Sequence, residues 1–356
     1  MKKILLTILT IVVSALIIQS CKKDSLTQNE TTHTVSERTV KVGTLTTIMP
    51  EGYDPEILNY SQEDWNHKIK SLAIAKQDIL TIGILDNLTQ PLIDNYPDVD
   101  NLTPENIAEI SSDFGGISQT VIENNSEVIQ NYYSTLITSD LVDLLQDNGK
   151  YGIGGVQIVF NPNTGDPIID LPLNGTELAL LASHPLTIKG IKTAGTKAVD
   201  LSEIYYNNPF YNTTLNATQY PILTDYWNKK DAFRHTLWNY LMCKYTVNKF
   251  INTANCVIFI KAFADAHELN PSGAATDILK LTDHAMDLHN NHIGRQLFVN
   301  SVVNTGGLFT TFTCPDEGTM SNKVWWDMLY WHGVLCVTPN QVDAVDKMEH
   351  VFMQYN

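Results

Sequence analysis

Between residues 174 and 298 apolar side chains recur at helical spacing in five stretches, 176–183, 185–204, 225–250, 253–269 and 274–298, separated by Pro-, Gly- or Asn-containing turns. A succession of medium-length periodic segments restricts this part of the chain to helices packed around one core. The stretches 65–85 and 104–145 also read as helical, so residues 61–150 form a helical N-terminal region without a chemical motif. Strand signals are few. One β-prone segment spans 40–48, and two β-branched runs, 156–160 and 167–171, flank Asn161-Pro162-Asn163-Thr164-Gly165-Asp166, which predicts a hairpin within a connector at 151–173. The expected fold is mainly α, with a multi-helix C-terminal domain at 174–300, a helical N-terminal region and a small β-hairpin. Residues 301–356, rich in Trp, are expected to pack back onto the helices.

The N-terminus constrains where the protein works. Lys2 and Lys3 precede an apolar run from Ile4 to Ile18, and Ile18-Gln19-Ser20-Cys21 follows, so residues 1–20 read as a signal peptide. The run is shorter than the roughly 20 residues a bilayer span needs. The Cys21 site resembles a bacterial lipoprotein lipobox, which implies lipidation of Cys21 and a membrane partner reached through its acyl chains. No Asp follows Cys21, and the resemblance to lipoprotein sorting signals therefore implies the outer membrane of a bacterial cell envelope. Residues 21–60 read as a polar tether followed by the β-prone segment. Lys plus Arg number 23 against 39 Asp plus Glu, a formal charge of -16, which leaves no broad basic footprint for nucleic acid. In an oxidising compartment Cys243, Cys256, Cys314 and Cys336 allow three pairings, and closeness in sequence favours Cys243 with Cys256 and Cys314 with Cys336.

The interpretable chemistry lies in three blocks: Asp231-Ala-Phe-Arg-His235-Thr-Leu-Trp-Asn239, Ala266-His267-Glu268, and Met286-Asp287-Leu-His-Asn290-Asn291-His-Ile-Gly294-Arg295. At about 100° per residue, His235 shares a row with Trp238, Met242 and Tyr245, and His267 shares a face with Cys256, Ile260 and Phe263. Both imidazoles are thus expected to face inward. On the third segment Asp283, Asp287, Asn290, Asn291 and Gly294 fall on one side, opposite Ile278, Leu281, Ala285 and Leu288, although Asp and Asn are mediocre helix formers. His289 and His292 point away from the polar row and read as surface residues.

Imidazoles from two helices, a neighbouring carboxylate and an Asp/Asn row on a third helix are ingredients of a divalent-metal site in a helical bundle. His235, His267 and Asp287 are the candidate ligands. Glu268 is the candidate general base or fourth ligand, Arg234 and Arg295 the candidate anion-holding groups, and Asn291 a further catalytic candidate. The bland alternative makes the histidines core residues and the polar row a solvated face.

The three blocks, in this order, resemble an uncharacterised bacterial domain family found in exported and toxin-like proteins, over roughly residues 174–300. The resemblance implies a shared helical site built from Arg234, His235, Trp238, Asn239, His267, Glu268, Asp287, Asn290, Asn291 and Arg295, and no known reaction. The functional expectation is an envelope lipoprotein with a metal-dependent, hydrolase-like site. The competing expectation is a non-catalytic lipoprotein whose His, Trp, Asp and Asn residues form a structural polar network, with the acidic surface binding a protein partner.

Overall fold

Short polar caps decide where most helices begin. In the computed structural model, the described residues are 39–76, 81–146, 173–207, 226–250, 252–268, 278–305, 311–328, 333–336, 338–345 and 349–352. Among these, α1 spans Gln62–Lys76, α2 Ile82–Ile93, α3 Pro104–Asp113, α4 Gln119–Asn124, α5 Ser126–Gln146 and α6 Gly175–Ala182. They are followed by α7 Ile188–Asn207, α8 Tyr226–Thr246, α9 Thr253–Glu268, α10 Ile278–Ser301, α11 Glu317–Trp326 and α12 Pro339–Asp343. Thr103 caps α3 ahead of Pro104, and Thr338 caps α12 ahead of Pro339; proline costs nothing at the first helical position because that N–H has no partner there. Asn174 and Glu177 form a reciprocal capping box at the start of α6.

The β structure is confined to pairs of short strands. β1 (Thr39–Val42) and β2 (Leu45–Ile48) form an antiparallel hairpin in register Val42 to Leu45, with Gly43 at φ +59° in the turn. β3 (Val303–Thr305) pairs antiparallel with β4 (Thr311–Thr313), and β5 (Gly333–Leu335) pairs parallel with β6 (His350–Phe352). The fold is therefore mainly α, as expected. The β-prone segment at 40–48 is a hairpin, whereas the hairpin expected at 156–171, like the signal peptide and Cys21, lies outside the described residues. The helical stretch read at 65–85 is divided between α1 and α2, and the one at 104–145 among α3, α4 and α5.

The helical region at 62–146 and the helices from 175 onward bury their apolar faces in one continuous core, which includes Ile69, Leu85, Ile129 and Leu136 alongside Leu178, Phe233, Tyr240 and Phe298. Residues 38–356 accordingly make one compact unit. Polar links also cross between the regions: Gln62 Nε2 donates to Ser183 Oγ at 2.5 Å, Lys192 Nζ donates to Asp86 at 2.8 Å, and Lys249 pairs with Asp100. The hairpin is docked as well, because Thr47 is buried and its hydroxyl donates to the carbonyl of Asp113 at 2.6 Å.

Helix α8 is the centre of the C-terminal part, packed against α7, α9, α10, α11 and β6. It is buried on nearly every side: Ala232, Phe233, Thr236, Leu237, Asn239, Tyr240, Leu241, Met242 and Cys243 are all sealed from solvent. A helix enclosed in this way carries no single apolar stripe, and its polar side chains need internal partners. The C-terminal segment does pack back, with β6 lying against α8 and α10.

The four cysteines described are thiols. Cys243 and Cys256 are buried neighbours, the Cys256 Sγ lying 3.6 Å from the Cys243 carbonyl oxygen, on facing helices α8 and α9. Cys314 borders the main core and Cys336 lies in a separate small cluster with Met286, Val342 and Val351, so the expected Cys314–Cys336 pairing is overturned by where the chain places them.

Candidate metal centre

The site depends on a close approach of α8 and α10. A Cβ at Gly294 would sit 2.1 Å from the Thr236 carbonyl oxygen and 2.9 Å from the Asn239 Cβ, so only glycine lets the backbones come this near. The approach turns the polar row of α10 toward α8. Asn290 and Asn291 are sealed from solvent and Asp287 is nearly so, while Ile278 and Leu281, at the start of the same helix, are exposed. The polar row is the buried face, and the solvated-face alternative is excluded for Asp287, Asn290 and Asn291.

His235 stands at the crossing. Its Nε2 faces two carboxylate oxygens, Asp287 Oδ1 at 3.4 Å and Asp231 Oδ1 at 3.7 Å. Its Nδ1 faces Asn291 Oδ1 at 3.1 Å and Glu268 Oε1 at 3.4 Å. Asp231, His235 and Asp287 offer one ligand atom each, all within 4.8 Å of one another. Among the described residues, Asp287 Oδ1 is the buried side-chain oxygen that accepts no hydrogen bond. Such an atom normally has a partner, because stripping water from a carboxylate without replacing it costs several kcal/mol, on the order of 1–3 or more.

A chain of donors fixes the remaining polar atoms. Arg295 Nη1 donates to Asn239 Oδ1 at 2.7 Å, and a guanidinium can only donate. The Asn239 amide nitrogen is thereby turned to the His235 carbonyl at 3.2 Å and to Asn291 Oδ1 at 2.5 Å. Asn291 in turn donates through Nδ2 to Glu268 Oε1 at 3.2 Å.

The electrostatics are those of a crowded, anionic pocket. Burial, with the Arg234 charge, pushes the His235 imidazole down to about 3, so it is neutral at ordinary pH. Burial also pushes Glu268 up to about 7, against the His267 charge and the Asn291 hydrogen bond, and with help from the charges of Asp231 and Asp283. Asp287 is raised well above the usual carboxylate range by burial and by the charges of Glu268, Asp231 and Asp283. Asp231 is raised by burial despite its ion pair with Arg234.

The structure brings together most, but not all, of the residues picked out from the sequence. His235, Asp287, Glu268 and Asn291 converge. His267 stands outside the ligand group: its Nδ1 is 2.8 Å from Glu177 Oε1, its ring meets the edge of Trp238 at 5.1 Å, and the side chain is 31% exposed. Glu268 faces the Nδ1 edge of His235, opposite the edge turned to Asp231 and Asp287, which fits a group orienting the imidazole and not a fourth ligand. Arg295 cannot hold an external anion, being buried and committed to Asn239. Arg234 is half exposed beside Asp231 and keeps that possibility. Asn291 contacts the imidazole through an amide already engaged on both sides, a positioning arrangement. Asn290 serves the fold: its Nδ2 donates to the Val351 carbonyl at 2.7 Å and its Oδ1 accepts the Val351 N–H at 3.2 Å. His289, expected at the surface, is half buried and its Nε2 lies 2.7 Å from the Glu349 carbonyl.

Two residues had no assigned role in the sequence. Asp231 lies one turn before His235, and the i, i+4 spacing on one helix was its only signal. Glu177 is distant in sequence from all three blocks and carries the signature of a helix cap, which it also is.

No curated protein and no solved structure matches this chain. Residues 178–310, which hold α7 to α10 and every residue of the Asp231, His235 and Asp287 group, match the family model of a domain of unknown function (DUF6973).

Proposed function

We propose that the protein is a cell-envelope lipoprotein, anchored through Cys21, whose helical domain holds a divalent cation between Asp231, His235 and Asp287 and uses it for hydrolysis. One observation carries the reading: a buried carboxylate oxygen without a hydrogen bond, Asp287 Oδ1, aimed at the Nε2 of a neutral imidazole. Two carboxylates around an imidazole make a mixed oxygen and nitrogen donor set suited to Mn, Fe or Zn, and a cation would offset the burial that raises both carboxyls and the neighbouring charges that raise Asp287 further. A divalent ion in such a site supplies Lewis acidity toward a carbonyl or phosphoryl oxygen and makes water a stronger acid. The chain's own contribution is to orient His235 through Glu268 and Asn291, and to present the half-exposed Arg234 to an anionic group of the substrate.

The second reading, a non-catalytic lipoprotein that binds a protein partner, is favoured by the continuity of the Arg295, Asn239, Asn291 and Glu268 network, which by itself would specify helix packing. The two separate on elemental analysis of the full chain, purified in detergent without chelator, beside Asp231→Asn and His235→Ala. The hydrolase reading expects about one divalent ion per chain, lost in both variants, and phosphoesters are then the first substrates to screen. A wild-type protein that carries no ion, and whose melting temperature no added Mn(II), Zn(II) or Mg(II) moves, overturns it.

A further inference from the structure

We propose that Arg295 and Asn239 are positioning residues that set the tautomer of His235, holding the proton on Nδ1 and leaving the Nε2 lone pair toward Asp231 and Asp287. The inference deepens the cation reading, on which its consequence for metal affinity rests, but the tautomer itself is a property of the metal-free protein.

The argument runs from one end of the chain of donors to the other. Arg295 is 3% exposed and has no acceptor atom, so the Asn239 group 2.7 Å from it must be the oxygen. The His235 carbonyl, 3.2 Å from the other end of that amide, has no donor and independently requires the nitrogen there. Asn239 is thus fixed twice over, and its Nδ2 donates to Asn291 at 2.5 Å. That contact makes the Asn291 atom an oxygen, and the same oxygen is 3.1 Å from His235 Nδ1. Two acceptors cannot share a contact without a proton, so Nδ1 is the protonated nitrogen. Glu268 Oε1, 3.4 Å from Nδ1, is a further acceptor on that edge. A neutral imidazole has one N–H, and with Nδ1 holding it Nε2 carries a lone pair. The contacts on the Nε2 edge, at 3.4 and 3.7 Å, are longer than those of an ordinary N–H···O hydrogen bond. Two residues that touch neither Asp231 nor Asp287 therefore make His235 a ligand toward them.

The test uses the full chain labelled with 15N-histidine, treated with chelator, and long-range 1H–15N spectra in which the two tautomers have distinct nitrogen shifts. His235→Gln identifies the resonances. The expected wild-type spectrum shows a protonated Nδ1 and a bare Nε2 at His235. Arg295→Met combined with Asn239→Leu removes the guanidinium and the amide it orients together, and a mixture of tautomers is expected, with Mn(II) and Zn(II) affinity reduced about 10- to 100-fold. Arg295→Lys still only donates, and should keep the wild-type tautomer even if it melts earlier. A wild-type His235 protonated on Nε2 overturns the inference, as does a doubly substituted protein with the wild-type tautomer. If the double variant does not fold, the wild-type spectrum and Arg295→Lys still decide. A protein with the stated tautomer that binds no metal leaves the positioning role intact and overturns the hydrolase reading; metal bound with the opposite tautomer does the reverse.

Discussion

The carbonyl oxygen of Thr236 occupies the place where any residue other than glycine at position 294 would put its Cβ, the two being 2.1 Å apart. The contact sets the spacing of α8 and α10 and hence the distance between His235 and Asp287, which belong to these two helices. Gly294→Ala must push the helices apart. Overpacking of a closed interior costs about 1–3 kcal/mol, and because the obstacle is backbone, a loss at or above the upper end is expected in chemical denaturation, together with loss of any bound ion. An alanine protein as stable as wild type would show that the helices can slide without cost.

Asp287→Asn should separate function from stability. The substitution replaces a buried carboxyl, which burial and the neighbouring carboxylates make hard to ionise, with a neutral amide of the same shape. In metal-free protein near neutral pH it is expected to raise stability, because the unfolded carboxyl ionises freely and the buried one does not, while abolishing cation binding. Thermal melts with and without chelator read both effects. Destabilisation in chelator would mean that the carboxylate already has a compensating partner.

The His267 and Glu177 pair gives a pH dependence with a definite sign. Burial pulls the His267 imidazole down, but the hydrogen bond and charge of Glu177, with the charge of Glu268, outweigh it against opposition from Arg234 and hold the group above the ordinary imidazole value of about 6.5. A raised folded pKa stabilises fully below the unfolded value and is lost as pH rises through the folded one. The melting temperature should therefore fall as pH rises above about 6.5, and the fall should be shallower in Glu177→Gln. Glutamine can still accept the Asn174 N–H that Glu177 accepts at 2.7 Å, so the cap survives. Identical slopes for the two proteins would remove the pair from the account.

Asn290 imitates a strand edge, satisfying both backbone groups of Val351 in β6. Asn290→Leu would strand two buried groups, each costing on the order of 1–3 kcal/mol. Limited proteolysis should then release the C-terminal strand earlier than in wild type. Unchanged protection of β6 would show that the carboxamide is dispensable.

The helices were legible from the sequence because periodicity and caps are local. The starts of α6, α9 and α10 fall within a few residues of those expected, and the hairpin at 40–48 was visible in its β-branched residues. The chemical blocks were legible as well, since Asp and Asn at helical spacing contradict helix propensity and call for another reason. The partners were not legible. His235 and His267 looked alike, each on an apolar stripe; Asp231 is local to His235, but only packing gave His235 Asp287 and gave His267 Glu177, which lies 90 residues away. Arg295 looked like a hand for an anion, and became an internal donor because α8 carries Asn239 to within 2.7 Å of it. The buried side of α10 was ambiguous for the same reason. A polar row faces solvent by default, and it turns inward here because Gly294 lets α8 approach and Asn239, Glu268 and Val351 satisfy what is buried. Sequence alone determined the helical stretches, the approximate starts of α6, α9 and α10 and the inventory of charged and polar groups; which groups meet depends on how close two backbones can come, and that was decided by the tertiary structure.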